Sequence, residues 1–189
     1  MLTERTHPYL FWGLVCAIAV SGLVIAVCLY PSVARYHFVK THRDKVFEVV
    51  AMGSFDDVKY YIKRGVSVHE KTPAGMSLLH CAVRFNPDVE VLKYLVEQGA
   101  DVNAKNNNDM TPLHYAAMPD NSSIEKLLPF ATVSPNPSIE KIKYLIEKGA
   151  NVNAKNDSGM TPLDYVRDNK EKEAILREAG GKRGKELPE

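Results

Sequence analysis

The sequence is poor in several of the features by which a function is usually recognised. Its 189 residues include only three cysteines, too few for a disulfide-stapled secreted domain. The 24 Lys and Arg nearly cancel the 23 Asp and Glu, for a net charge of +1. A general nucleic-acid binder needs a basic face, so this balance argues against one. No P-loop, paired CxxC, HExxH or GxSxG motif occurs, so we predict no catalytic residue, metal, cofactor or small-molecule substrate.

Charged side chains are also missing from Pro8 to Ala34. Within this stretch the twenty residues Leu10–Leu29 are almost all apolar, and a helix of about 20 residues matches the hydrocarbon core of a bilayer. Tyr9 and Tyr30 flank it, as aromatic residues do at membrane interfaces. We therefore predict a single transmembrane helix, a signal anchor, at residues 9–30 after a short tail at 1–8. A signal sequence that is cleaved is the alternative.

The charges beside this span predict its orientation. Cytoplasmic flanks retain Lys and Arg, and the flank after the span is the richer one. Only Arg5 precedes the span, whereas residues 31–43 form a basic juxtamembrane segment with Arg35, Lys40 and Arg43. We therefore expect a single-pass membrane protein whose main domain is cytoplasmic, with a periplasmic or other extracytoplasmic location as the alternative.

The rest of the chain repeats itself. The segment EQGADVNAKNNNDMTPLHYAA (Glu97–Ala117) returns as EKGANVNAKNDSGMTPLDYV (Glu147–Val166), and a weaker copy, KRGVSVHEKTPAGMSLLHCAV, runs from Lys63 to Val83. A period of 20–50 residues indicates a repeat architecture. The joined TPLHxAA and GADVNA motifs closely resemble the ankyrin repeat, and the chain resembles small bacterial ankyrin repeat domain-containing proteins. The resemblance covers about residues 44–179.

This resemblance implies an all-α solenoid of about four helix-turn-helix units joined by hairpin loops. We place the two helices of each unit at residues 44–52 and 55–64, 78–85 and 88–98, 112–118 and 138–148, and 162–168 and 170–179. The last unit is the most polar, which suits a solvated cap. We expect residues 180–189 to be a disordered tail.

Several residues take the structural roles of the motif. A histidine of the motif hydrogen-bonds neighbouring turns in the family, threonine and proline begin the first helices, and glycine ends the second helices. Asp164 replaces the histidine in the last unit, which fits a unit with no neighbour beyond it. The motif residues are Gly65, His80, Gly99, Thr111, Pro112, His114, Gly149, Thr161 and Pro162.

An insertion at residues 118–137 separates the two helices of the third unit. It contains the apolar residues Leu127, Leu128 and Phe130, which either fold back on the stack or contact a partner. The alternative is a tolerated surface loop, since long loops cost little entropy.

We predict that an unidentified protein partner binds the hairpin tips and the exposed ends of the first helices. Methionine and lysine recur at equivalent motif positions, and methionine suits adaptable contacts, although both series could merely reflect duplication. The predicted contact residues are Lys71, Met76, Arg84, Phe85, Lys105, Met110, Met118, Leu127, Leu128, Phe130, Lys155, Met160, Arg167 and Asp168.

The sequence therefore favours a non-enzymatic, membrane-tethered module that binds and regulates a partner protein near the membrane. One alternative is an immunity or inhibitor protein that neutralises a toxin or a secreted enzyme. Another is a structural subunit of a membrane complex, in which the small residues Gly13, Ala17 and Ser21 would pack the span against another helix.

Overall fold

The computed structural model describes residues 45–119 and 137–188. The predicted anchor at 9–30, its flanks at 1–8 and 31–43, and Leu127, Leu128 and Phe130 of the insertion lie outside the described residues. Among those that are described, no helix is long and apolar enough to cross a membrane. A compact unit spans Asp44–Glu189, and everything below concerns this unit.

The described chain forms four successive helical hairpins. Helices α1 (residues 45–52) and α2 (Phe55–Lys63) make the first repeat, and α3 (Leu78–Phe85) and α4 (Val89–Glu97) make the second. The third repeat has α5 (Pro112–Ala117) and α6 (Pro137–Glu147), and the fourth has a 3₁₀ turn (Pro162–Tyr165) and α7 (Lys170–Glu178). The described residues contain no β-strand, only an isolated β-bridge between Lys71 and Ser77, so the predicted all-helical repeat fold is confirmed.

One predicted helix is shorter than expected. We expect the first helix of the last repeat at residues 162–168, but it is the single turn Pro162–Tyr165. The backbone leaves the helical region at Val166, whose ψ is 119°, and it turns again at Asp168, whose φ is +53°. The last repeat is therefore a reduced unit whose second helix is its main element.

The first helices begin where the motif residues cap them. The Ser77 amide donates to His80 Nδ1 at 3.1 Å, and the Thr111 amide donates to His114 Nδ1 at 3.0 Å. Pro112 occupies the first turn of α5, where a missing N–H costs no helical hydrogen bond.

The second helices end at glycines in a conformation that other residues adopt at a cost. The φ values are +100° at Gly65, +92° at Gly99 and +84° at Gly149. A left-handed residue just after a helix lets the chain reverse direction and is easiest for glycine. These residues therefore turn the chain from each second helix towards the next hairpin.

The core is thin and is shared between neighbouring repeats. Leu79, Leu113 and Leu163 follow one another at the same motif position, and each is completely buried. Burial of a leucine side chain contributes roughly 1.5–3 kcal/mol, and here the helices of the adjacent repeat provide much of the cover. The other fully buried apolar residues include Val46, Val50, Val58, Leu78, Val91, Leu92, Leu95, Ile142, Leu145 and Leu176.

Buried polar side chains join each repeat to its neighbour. Asn86 donates its amide to the carbonyls of Val50 (2.9 Å) and Gly53 (3.1 Å) at the end of α1. Lys141, on α6, donates to the carbonyl of Val83 at 2.9 Å, and also to those of Ala82 and Asn86.

The last repeat repeats this arrangement. Lys172, on α7, donates to the carbonyls of Ala116 (3.3 Å) and Met118 (2.9 Å), at the end of α5. Its side chain is 1% exposed, so the solvated surface that we expect in the last unit is wrong at this residue. Carbonyls at a helix end lack intrahelical donors, and the lysine provides them.

The end of the chain also differs from the sequence-based prediction. Residues 180–188 are described and bonded to the last repeat, whereas we expect a disordered tail. They contain a 3₁₀ turn at Gly184–Glu186. Arg177 of α7 holds Glu186 through two hydrogen bonds of 2.6 and 3.0 Å. Two of its glycines, Gly181 and Gly184, lie close to the backbone of other residues.

Candidate partner-binding face

The motif histidines connect each hairpin to the next one. Because Nδ1 of His80 accepts from the Ser77 amide, its proton lies on Nε2, which donates to the Met110 carbonyl at 2.9 Å. His114 donates in the same way to the Met160 carbonyl at 3.1 Å. Burial lowers the pKa of both imidazoles, so they are neutral near pH 7. Both imidazoles therefore connect neighbouring hairpins through hydrogen bonds.

Two tyrosines stand edge-on against these histidines. The ring of Tyr115 lies 5.5 Å from His80 at 90°, and that of Tyr165 lies 5.7 Å from His114 at 81°. Both rings are partly exposed. Our sequence-based list omits them, although the shared TPL-x-Tyr spacing was a usable signal. Tyrosine gives rigid contact area at low entropic cost and is enriched among residues that dominate interfaces.

Each tyrosine is also fixed at its hydroxyl. The amide of Asn106 donates to Tyr115 at 3.0 Å, and the amide of Asn156 donates to Tyr165 at 2.8 Å. The Asn106 oxygen accepts the backbone amides of the hairpin tip. The hairpin tip and the aromatic ring therefore form one preorganised unit in each of these two repeats.

The recurring methionines do not form an exposed stripe. Met110 is 8% exposed and Met160 is 37% exposed, and Met76 is half-buried. What recurs at this position is the backbone carbonyl, which accepts from the motif histidine at Met110 and Met160 and closes the hairpin at all three residues. The spacing follows from this backbone role, and Met110 offers little surface to a partner.

The recurring lysines make three different contacts. Lys71 Nζ donates to the Lys105 carbonyl of the next hairpin at 3.2 Å. Lys105 pairs with Asp109 at 3.1 Å within its own tip, and Lys155 donates to the Pro188 carbonyl at 3.3 Å. Two of them therefore connect neighbouring turns, so the lysine series is at least partly structural.

Two of the exposed apolar residues lie at the ends of first helices. Phe85 is 54% exposed, and Met52 on the preceding repeat is 75% exposed. Asn86, the residue after Phe85, donates its side-chain amide to the carbonyls of Val50 and Gly53, on either side of Met52. Phe85 and Met52 therefore lie on adjacent turns. Arg84 reaches the Pro119 carbonyl at 3.4 Å. We call Met52, Arg84, Phe85 and the half-buried Met118 the helix-end patch.

A polar depression lies beside the last repeat. Its volume is about 660 Å³, and its lining includes Arg167, Asp168, Lys170, Glu173 and Arg183. Arg183 pairs with Glu173 at 3.2 Å. Both Arg167 and Asp168 of the predicted contact set are exposed here, with basic side chains slightly in excess.

The described residues offer little for catalysis. No group of three His, Cys, Asp or Glu in the part of the chain that the structure describes could hold a metal ion. Cys81 is buried, and burial raises the pKa of its thiol to about 11. A thiol with so high a pKa stays protonated at neutral pH and is a poor nucleophile.

The architecture places the protein among the helical repeat proteins, since it is a solenoid of short helical hairpins, each joined to the next through its turns. Family models show which repeat family this is. The model for three copies of the ankyrin repeat matches residues 47–136, and that for many copies matches residues 131–167. The chain is an ankyrin repeat protein. Ankyrin repeats are protein–protein interaction modules, and nothing in the described residues points to catalysis.

Curated relatives share segments of this domain. The human Transient receptor potential cation channel subfamily A member 1 is 41% identical over 61 residues, which are 32% of this chain and 5% of the channel protein. The fowlpox virus ankyrin repeat protein FPV233 is 43% identical over 54 residues, and human Protein fem-1 homolog C is 34% identical over 82 residues. The chain covers only 10% and 13% of these two relatives.

The neutral histidines make stability depend on pH. Their folded pKa values lie below the unfolded value near 6.5, so the unfolded chain binds more protons in the window between the two. The free energy of unfolding should change little between about pH 7 and 8 and should fall as the pH drops below about 6.5. Urea unfolding at a series of pH values measures this.

A single substitution provides the control for that measurement. His114→Gln keeps one acceptor and one donor but cannot be protonated, so its stability should fall less steeply over the same window. An equal slope in H114Q and the parent chain would assign the pH dependence to other groups.

Proposed function

We propose that this protein is a membrane-tethered interaction module whose ankyrin domain binds and regulates a protein partner near the bilayer. The observation that carries the binding face is the helix-end patch, in which an exposed phenylalanine, an exposed methionine and an arginine occupy adjacent repeats. Monomeric soluble domains seldom expose large apolar side chains together without a use for them.

The surroundings of the patch support specific recognition. Arginine and aromatic residues dominate the energetics of protein interfaces, and Arg84 lies beside Phe85 at the end of α3. The tyrosines Tyr115 and Tyr165 are held by hydrogen bonds on neighbouring units. Because these residues are fixed before binding, little conformational entropy is lost when a partner docks.

The charge around this face favours a partner with apolar and acidic groups. Phe85 and Met52 supply the apolar contacts at the first two repeats. Arg84 supplies positive charge at the second repeat, and Arg167 and Lys170 supply it beside the polar depression of the last repeat. A segment with an apolar anchor followed by carboxylates would be complementary to both.

The predicted anchor at residues 9–30 gives this binding a location. Tethering confines the domain to a thin layer next to the bilayer, which raises its effective concentration for any partner in the same membrane. Positive charge at residues 31–43 favours a cytoplasmic domain. The immunity or inhibitor role and the structural-subunit role remain predictions, because no contact in the described domain favours either.

Substitutions in the helix-end patch should abolish capture of the partner. Phe85→Glu and Arg84→Glu each remove a contact at the centre of the patch, and loss of such a residue typically costs 2 kcal/mol or more, which weakens binding by about 30-fold or more. Crosslinking in intact cells, followed by affinity capture of the full chain and quantitative mass spectrometry, identifies partners whose recovery falls in both variants.

Lys143→Glu is the matched control, since Lys143 is exposed on α6 and lies outside the proposed face. Circular dichroism should show that all three variants remain folded. If F85E and R84E recover the same proteins as K143E at the same level, the helix-end patch is not the binding face.

The anchor is tested by fractionation and by a topology reporter. The full chain should stay with membranes after alkaline carbonate washing, and a chain without residues 9–30 should be released. A reporter fused after Glu189 that is active only outside the cytoplasm should give no signal. Release of the full chain would refute the anchor, and a strong reporter signal would refute the orientation.

A further inference from the structure

The segment after α7 has the same glycine conformation and asparagine contacts as the start of a further repeat. Gly149 follows the end of α6, with φ +84°, and Gly180 follows the end of α7, with φ +83°. The Gly149 carbonyl accepts from the side-chain amide of Asn103 at 3.0 Å, and the Gly180 carbonyl accepts from that of Asn153 at 3.0 Å. The third repeat therefore contacts the fourth just as the fourth contacts the tail.

The correspondence continues two residues further. The Asn151 amide donates to the side-chain oxygen of Asn103 at 2.7 Å, and the Lys182 amide donates to that of Asn153 at 2.8 Å. Each asparagine thus uses both of its polar atoms to hold the turn that follows the next second helix. Asn153 holds Gly180 and Lys182 as the start of a fifth repeat.

Beyond this point the hydrogen-bond polarity is reversed. In the regular junction, His114 donates a proton to the Met160 carbonyl. In the last repeat Asp164 stands at the histidine position, and its carboxylate accepts the Gly184 amide at 2.7 Å. At the regular junction the side chain donates to a backbone carbonyl. At the last junction the side chain of Asp164 accepts from a backbone amide.

Other contacts keep the tail in this position. The Thr161 hydroxyl lies 2.6 Å from the Lys182 carbonyl and donates to it. A Cβ at residue 184 would collide with the Gly159 carbonyl, so only glycine fits where the tail crosses the last hairpin. Hydrogen bonds from Arg177 lower the pKa of Glu186 to about 2, so their ion pair stays charged even in mildly acidic solution.

We propose that residues 180–188 are a partial fifth repeat that closes the stack, and that Asp164 is the residue that specifies this ending. A regular hairpin from a further repeat, including one from a second copy of this chain, would present a carbonyl to Asp164. Two acceptors facing each other repel, so the carboxylate selects the tail and disfavours continued stacking. This goes beyond partner binding, because it assigns a role to a surface outside the helix-end patch.

A double-mutant cycle tests the proposal on the full chain in detergent micelles. Asp164→His restores the motif histidine, whose Nε2–H would face the Gly184 N–H. In the full chain, D164H should lower Tm by about 2–5 °C and accelerate hydrogen exchange at the Gly184 amide at least tenfold. In a chain that ends at Ala179, D164H should shift Tm by less than about 1 °C or raise it. Measurement of the four chains isolates the coupling between residue 164 and the tail.

An unchanged or higher Tm for D164H in the full chain, or the same decrease in both backgrounds, would overturn the proposal. Gly184→Ala gives a second test that keeps the chain length and residue 164. It should lower Tm and accelerate exchange at the Lys182 amide, whereas the exposed neighbour substitution Lys185→Ala should do neither. Equal behaviour of G184A and K185A would also overturn it.

Discussion

The structure depends on hydrogen bonds that run from the side chains of one repeat to the backbone of the next. Each hairpin is too small to bury its own polar backbone, so its helix ends need partners from outside. Asn86, Lys141 and Lys172 reach the carbonyls that end a first helix, and His80 and His114 reach the carbonyls of the following turn. An unpaired buried carbonyl costs about 1–3 kcal/mol, so these side chains bind the repeats into one unit.

These junctions also determine which residues remain for recognition. The methionine before each motif contributes its backbone carbonyl as a hydrogen-bond acceptor, and the side chain of Met110 is buried. The side chains that stay available lie at the ends of the first helices and beside the motif histidines. Phe85 and Tyr115 are therefore presented to solvent by elements that are rigid for structural reasons. A binding face built on such elements retains its geometry when the partner is absent.

Much of this was predictable because the motif residues act locally. The threonine-proline pair starts a helix and the glycine after each second helix permits a left-handed turn, wherever they occur. Contacts between distant residues outside the motif were not predictable. From the sequence Lys172 is expected on the surface, because nothing near it in the chain shows that the carbonyls of Ala116 and Met118 lack a hydrogen-bond donor. The tail was misjudged for the same reason, since glycine and charge suggest disorder unless the acceptor at Asp164 is known.

The central claim is that side chains crossing the junctions hold the stack together, and Lys172→Met tests it most directly. The substitution keeps an apolar stem of similar length but removes the donor for the carbonyls of Ala116 and Met118. Chemical unfolding followed by circular dichroism should show a loss of about 2 kcal/mol in the free energy of unfolding. The exposed control Lys143→Met should change it by less than about 0.5 kcal/mol. A K172M chain as stable as the parent would contradict the account.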